Sequence, residues 1–119
     1  MPITFTQQQR QALLNTLGIG KLAAITAPVL EQTLGYTPTK NQTKLRKLIK
    51  ECIEHDGDLI GSTTGRPPGF FIISTTAEID EYLDSLEGRI RSDNTRRSAL
   101  ITQWNATNPP TTRLPLTII

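Results

Sequence analysis

The segment at residues 59–73, LIGSTTGRPPGFFII, places two short apolar runs on either side of a tip rich in glycine and proline. Short apolar runs bounded by turn residues are typical of paired β-strands. We predict strands at about residues 58–63 and 69–74, joined by GRPPG, which is longer than a two-residue hairpin turn. Both prolines fall where no ladder hydrogen bond is needed. The rest of the fold must therefore accommodate a two-stranded hairpin.

Two helices are predicted ahead of the hairpin from hydrophobic periodicity and end signals. The first covers about residues 6–17 and stops at the sequence GIG, whose glycines can adopt the positive φ of a helix C-cap. Residues 21–25, KLAAI, are predicted as a small edge strand. The second helix begins near Thr26 and ends near Leu34 and Gly35, since Pro28 in a first turn costs no hydrogen bond. The buried stripe of the first helix is Leu13, Leu14 and Leu17.

A third helix is predicted from a capping box and a regular apolar face. Thr39 and Gln42 match the capping-box pattern, and the helix should end near residues 55–57. Its apolar side chains recur on one side at helical spacing. They are Leu45, Leu48, Ile49, Cys52 and Ile53.

A long helix at residues 76–104 is predicted after the hairpin, with Thr75 and Glu78 as a second capping box. Gly88 and the sequence SDNT weaken its middle. Residues 105–119 are expected to form an apolar tail broken by prolines. The expected fold class is α+β, mostly α, with one domain at residues 1–75 and a helix that packs on this core or on a second chain. The helix carries an apolar stripe of Ile79, Leu83, Leu86 and Ile90.

The charges are unevenly distributed, although the 13 basic and 11 acidic residues give a net charge of only +2. Five basic and no acidic residues lie between Lys40 and Lys50, whereas five acidic and no basic residues lie between Glu78 and Glu87. Asp80, Asp84 and Glu87 share a helical surface, which we interpret as a solvated acidic face. One basic face and one acidic face are therefore expected.

The basic run and the hairpin together indicate DNA binding. A third helix placed in a major groove and a hairpin placed beside the backbone would use the residue types found here. The predicted base-reading residues are Lys40, Asn41, Gln42, Thr43 and Lys44, which can bond to adenine or guanine or pack on thymine. The predicted backbone contacts are Arg46, Lys47, Lys50, Thr63, Thr64 and Arg66, with Arg66 at the rigid tip against a phosphate or in a minor groove. Each feature also has a simpler interpretation. The lysines can form an ordinary solvated helix face, and the prolines of the hairpin loop can serve only to block pairing at the sheet edge.

The chain resembles a known family over residues 30–90. The resemblance rests on four segments, LRKLIKE, IGS, GFFI and EIDEYLDSLEGR. This pattern resembles the winged helix-turn-helix DNA-binding domains of bacterial and phage regulators. The resemblance implies a three-helix core with a two-stranded wing, base reading by residues 40–44 and backbone contact by Lys47 and Arg66. One departure is GYTPTK, which makes the link between the second and third helices longer than a tight turn.

Other sites have less support in the sequence. Cys52 and His55 have the spacing of a metal pair but no further Cys or His joins them, so no metal is expected. The sequence GIGK lacks the full phosphate-loop spacing. No cofactor and no enzymatic activity are predicted. The single cysteine and the absence of a secretory signal favour a reducing, cytoplasmic setting, and the longest apolar window is too short to cross a bilayer.

Two functions from different classes remain open. The first is a sequence-specific, double-stranded DNA-binding regulator. The second is a winged helix that serves as a protein-protein interaction module in a replication or assembly complex, where the lysine face meets an acidic partner. A homodimer through the C-terminal helix and tail is also expected, because Leu100, Ile101 and Trp104 add apolar surface beyond one core.

Overall fold

The structure, a computed structural model, describes residues 3–109. In that range the fold is α+β and mostly helical, with four α-helices and one two-stranded antiparallel sheet, a layout compatible with a winged helix. The chain divides into two compact units, Met1–Tyr82 and Leu83–Ile119. The elements are α1 (Gln7–Thr16), a 3₁₀ turn (Lys21–Ala23), α2 (Ala27–Thr33), α3 (Thr43–Glu54), β1 (Ile60–Thr63), β2 (Gly69–Ile72) and α4 (Thr76–Thr107).

The core of the first unit is built around α3. Leu45, Leu48 and Cys52 are fully buried there, together with Leu13 of α1 and Leu30 of α2. Ile49 is also buried, and Ile53 and Leu14 pack against the cluster from partly buried positions. The predicted apolar faces of α1 and α3 are therefore confirmed. Their burial is the main driving force that holds the three helices together.

The hairpin pairs as predicted, although both strands are shorter than expected. Ile60 opposes Ile72 and Thr63 opposes Gly69. The other edge of β2 is also used, because Ile25 and Phe70 exchange two backbone hydrogen bonds of 2.9 and 2.8 Å. The predicted edge strand at residues 21–25 is thus limited to one bridge at Ile25.

The remainder of that predicted strand is wrong, because Lys21–Ala23 form a 3₁₀ turn. The amide of Lys21 donates to the carboxylate of Glu78 at 2.8 Å, and the amide of Ala23 donates to the carbonyl of Gly20 at 3.0 Å. These bonds satisfy the amide donors of Lys21 and Ala23, which a sheet ladder would otherwise use.

The GIG sequence ends α1 differently from the prediction. The C-cap is Leu17, with an extended backbone at φ −70°, and only Gly20 has the expected positive φ, at 90°. The prediction of a left-handed Gly18 is wrong. Gly18 is instead required by packing, since a Cβ there would lie 2.5 Å from the Cβ of Ala23.

The start of α3 also corrects the sequence prediction, because Thr39 and Gln42 do not form a capping box. The Thr39 hydroxyl and amide donate to the buried carboxylate of Glu31 at 2.9 and 3.2 Å. The N-cap is Gln42, whose backbone is left-handed at φ 47° and whose side chain makes no capping bond. Lys40 and Asn41 consequently lie in the turn before α3 and not in its first helical turn.

The start of α4 agrees with the second predicted capping box. The Thr75 hydroxyl accepts from the amide of Glu78 at 3.1 Å, and the Glu78 carboxylate accepts from the backbone amides of Ser74, at 2.8 Å, and Thr75. The helix is unbroken through Gly88 and ends at Thr107, three residues beyond the expected 104. Most of the predicted tail, at residues 110–119, lies outside the described residues. Over the part of the chain that is described, no helix has the length and apolar character needed to cross a membrane.

Candidate nucleic-acid interface

The outward face of α3 is basic and free of acidic side chains as far as Lys50. Its two acidic residues are Glu51, which is turned inward and only 3% exposed, and Glu54, which is the last residue of the helix. The exposed side chains before them are Thr43, Lys44, Arg46, Lys47 and Lys50. The predicted separation of an apolar and a basic face is therefore present.

Glu51 has a structural role that explains its inward orientation. Its carboxylate accepts hydrogen bonds from the backbone amides of Thr4 and Phe5, the second at 3.0 Å. Burial raises the pKa of Glu51, but the hydrogen bonds from these amides and the nearby Arg10 charge together outweigh burial and hold the pKa below its usual value of 4.5. The ionised side chain thus fastens the segment before α1 to α3, and its charge stays off the basic surface.

A second buried charge, that of Arg10, pairs with Asp56 just beyond the end of α3. The Arg10 side chain, on α1, donates to the carboxylate of Asp56 at 2.7 Å and to the carbonyl of Phe5 at 2.7 Å. Arg10 is only 8% exposed, so its pairing is needed to offset the loss of hydration. Asp56 is therefore compensated from within the fold.

The cations of α3 differ in their immediate contacts. The Lys44 ammonium lies 4.5 Å from the centre of the Tyr36 ring, and the Arg46 guanidinium lies 5.8 Å from the centre of the Phe70 ring. Such contacts orient a cation without cancelling its charge. Lys50 forms an exposed ion pair of 3.9 Å with Glu54, which contributes little in water. Lys47 has no hydrogen bond, ion pair or ring contact within residues 3–109.

Arg46 links α3 to the hairpin. Its guanidinium lies over Phe70 of β2 and its Nε donates to the carbonyl of Asn41 at 3.0 Å. The same side chain therefore joins the first turn of α3, the turn before α3 and the second strand. This contact connects the two basic elements that the sequence predicted separately.

The five predicted base-reading residues cluster around the start of α3. Lys40 and Asn41 are exposed in the preceding turn, and Thr43 and Lys44 are exposed in the first helical turn. The Gln42 side-chain amide instead donates to the carbonyls of Thr39 and Lys40, at 3.3 and 3.4 Å. No side chain caps this helix end and no acidic residue lies in its first turn. An uncapped helix N-terminus beside lysines favours an anion.

The hairpin tip is exposed and polar. The Thr63 hydroxyl accepts from the amide of Gly65 at 3.0 Å and shapes the turn, while Thr64 and Arg66 are exposed. Among the described residues, no hydrogen bond or ion pair joins Arg66 to α3.

Lys21 is a neighbour of this tip that the sequence analysis did not identify. The Cε atom of Lys21 would lie 3.8 Å from a Cβ added to Gly65. Its ammonium pairs with Glu81 at 2.6 Å.

Cys52, Asp56 and Asp58 place three potential ligand atoms within 4.8 Å of one another. Burial, followed by the charges of Asp58 and Asp56, raises the pKa of the Cys52 thiol to about 12. Burial and the charge of Asp56 also raise the pKa of Asp58. Without a metal ion the thiol is therefore protonated at neutral pH, and Asp56 is paired with Arg10.

The residues that position the interface were largely missed by sequence reasoning. Glu31 and Glu51 are buried acids, and Tyr36 and Phe70 are the aromatic contacts of the basic side chains. The sequence did contain one signal that an acidic residue is buried, because Glu51 falls between Leu48 and Cys52 on the apolar stripe of α3.

Comparison of the chain with protein-family models, with curated proteins and with solved structures found no match.

The acidic run at the start of α4 is exposed, apart from the partly buried Glu78. The basic surface of α3 and the hairpin, connected through Arg46, are the features of the molecule that bear on its function.

Proposed function

We propose that this chain is a sequence-specific, double-stranded DNA-binding protein of the winged-helix class, a non-enzymatic regulator. In this proposal α3 lies in the major groove and the β1–β2 hairpin lies against the backbone or in the minor groove. The observation that carries the proposal is the exposed basic face of α3, free of acidic side chains from Thr43 to Lys50, which Arg46 connects to the hairpin.

Phosphate contacts are assigned to the cations in the middle of α3. Lys47 and Lys50 are exposed and project from successive turns, and the Arg46 guanidinium lies over Phe70 of β2. Phosphate contacts fix the orientation of a protein on the duplex without reading sequence. Lys47 is the most direct candidate, because no contact within the described residues competes for its ammonium.

Base reading is assigned to the start of α3, where the exposed side chains can approach base edges first. Asn41 can bond bidentately to adenine and Lys40 or Lys44 can bond to guanine, while the methyl group of Thr43 can pack on thymine. Gln42 remains in the set, although its amide must leave the carbonyls of its own turn in order to contact a base.

The hairpin adds a contact outside the major groove. Arg66 carries the only charge of the tip sequence TTGRPPG and is exposed. A guanidinium at such a position fits a phosphate or a narrow minor groove, and Thr63 and Thr64 can bond to the backbone beside it.

A selection experiment tests this function. Full-length protein is incubated with a random-sequence duplex library, and bound duplexes are recovered over several rounds at physiological salt. The proposal predicts enrichment of a recurring motif and a steep loss of binding with added salt. Weak binding of all duplexes without enrichment would favour the protein-protein interaction module, and absence of duplex binding at low salt would contradict the proposal.

A further inference from the structure

In the second unit, positions of α4 at alternating steps of three and four residues, the spacing of a coiled-coil seam, carry apolar side chains on both sides of a charged pair, Asp93 and Arg97. Four of them are exposed for a large part of their surface: Leu83 45%, Ile90 50%, Leu100 65% and Trp104 52%. Isolated apolar residues are ordinary on a surface, but a stripe with this repeat predicts a partner helix. The eight seam positions are Leu83, Leu86, Ile90, Asp93, Arg97, Leu100, Trp104 and Thr107.

We propose that this stripe binds a second copy of the same chain as an antiparallel two-helix coiled coil centred on Thr95. In an antiparallel pair each a position of one helix faces a d position of the other. Centred on Thr95, the layers pair Leu83 with Thr107, Leu86 with Trp104, Ile90 with Leu100 and Asp93 with Arg97 of the second copy. Each layer occurs twice by symmetry, and the seam is about 36 Å long.

The two charged positions select both the partner and the orientation. In the antiparallel arrangement Asp93 meets Arg97 of the second copy in both central layers, so every central charge finds its opposite. A parallel arrangement in register would set Asp93 against Asp93 and Arg97 against Arg97 within the seam. Like charges in a partly desolvated seam are strongly unfavourable. The stripe is therefore complementary to itself in the antiparallel direction only.

Two features of the seam bear on its strength. Arg96 lies at its edge and faces Arg96 of the second copy, where water and salt screen the repulsion. Arg97 already has an interaction within its own chain. The proposed pairing with Asp93 of the second copy therefore relies only on the positive charge of Arg97 and on its position in the seam. The interface uses residues 83–107 alone and does not depend on DNA binding.

Charge reversal tests the pairing in the full-length protein. Sedimentation of the wild type should show a dimer at tens of micromolar, and Asp93→Arg or Arg97→Asp alone should each weaken the dimer by at least about tenfold. An equimolar mixture of the two single variants should recover the dimer, as should the double variant D93R/R97D. Exposed Thr102→Arg, on the outer side of the helix, is the control and should leave association unchanged. Helical content measured by circular dichroism distinguishes loss of pairing from loss of folding.

A cross-linking experiment tests the orientation. Ile90→Cys and Leu100→Cys should form a mixed disulfide when the two variants are combined under mild oxidation, and neither should cross-link efficiently with itself. A wild-type monomer at tens of micromolar would show that the stripe is covered within the chain and would overturn the proposal. Self-linking of Ile90→Cys, or failure of the mixed single variants to associate, would also overturn it.

Discussion

At the scale of single residues, carboxylates that bind backbone amides determine where the connecting segments lie. Each of three glutamates accepts hydrogen bonds from amides distant in sequence or outside its own helix. An ionised carboxylate bound to amides forms strong hydrogen bonds and tolerates burial that an unpaired charge does not. The pairs are Glu31 with Thr39, Glu51 with Thr4 and Phe5, and Glu78 with Lys21 and Ser74.

Replacing Glu51 with glutamine should lower the thermal midpoint by several degrees, because an amide accepts more weakly than a carboxylate and its NH₂ group would face backbone donors. The pKa of Glu51 is lowered on folding, so its ionised form stabilises the protein above pH 4.5 and loses this contribution as pH falls through the folded-state pKa. The variant should therefore lose less stability than wild type on acidification below pH 4.5. Thermal melts from pH 7 to pH 3 measure both effects.

The matched control is Glu54→Gln, three residues further along α3 on the exposed side. It should change neither the midpoint nor the pH dependence appreciably. Equal effects of the two substitutions would contradict the anchoring role of Glu51.

Arg66→Ala should reduce affinity for duplex DNA by a few-fold to about tenfold while leaving the thermal midpoint unchanged, because the side chain is exposed and supports one backbone or minor-groove contact. Arg66→Lys keeps the charge and should retain most of the affinity if the contact is to a phosphate. Titration of all three proteins with one duplex measures this. A large drop in the midpoint would mean that the tip is structural, and unchanged affinity would mean that the hairpin does not touch DNA.

At the scale of elements, the hairpin depends on one close backbone approach. Gly69 has φ 126°, and a Cβ at this position would lie 2.2 Å from the carbonyl carbon and oxygen of Ile25. Gly69→Ala should therefore destabilise the protein by about 2 kcal/mol or more, through backbone strain and loss of the pairing between Ile25 and Phe70. Chemical denaturation gives the change.

Gly88 provides the opposite case within α4. A Cβ there meets no atom within 4 Å, and the residue lies inside a continuous helix. Gly88→Ala should stabilise the helix by roughly 0.5–1 kcal/mol, because alanine loses less backbone entropy. A comparable loss in both glycine variants would argue against the close approach at Gly69.

The elements also show how far the sequence could be interpreted. The buried side of α3 and the pairing of the hairpin follow from local periodicity and turn residues, and both were predicted correctly. The start of α3 was not, because Thr39 binds Glu31 on another helix and so cannot cap its own. Local patterns cannot reveal such competition between distant partners. The contact of Arg46 with Phe70 could not be predicted either, because the two residues are distant in sequence. Each residue belongs to a segment that the sequence analysis identified, one basic and the other aromatic.

The turn before α3 carries a prediction about sequence preference. Asn41→Ala should relax the preference at one or two base pairs, each worth roughly 1–3 kcal/mol, because its exposed amide can bond bidentately to adenine. Gln42→Ala should relax preference in the same way, and it should also lower stability slightly because its amide bonds within the turn. Titrations on single-base variants of a selected duplex measure the preference. A change in preference from Lys47→Ala but not from Asn41→Ala or Gln42→Ala would show that a different part of α3 contacts the bases.

At the scale of the whole molecule, the protein separates its charges more strongly than its net charge suggests. Buried Glu51 and paired Asp56 leave the outer side of α3 basic, and exposed acidic residues occupy the start of α4. A local basic field of this kind attracts a polyanion even when the net charge is only +2. The order of charged residues along the sequence could indicate this uneven distribution, but only the fold shows which acids are removed from the surface.

The salt dependence of duplex binding by wild type and Lys47→Ala tests the central claim most directly. Each phosphate contact contributes about 0.9 to the slope of log K against log salt. Lys47→Ala should therefore weaken binding to all duplexes about equally and make the slope shallower by about 0.9. The control Arg89→Ala removes the same charge from an exposed position on α4 and should leave the slope unchanged. An unchanged slope for Lys47→Ala, or an equal change in both variants, would contradict the placement of α3 on DNA.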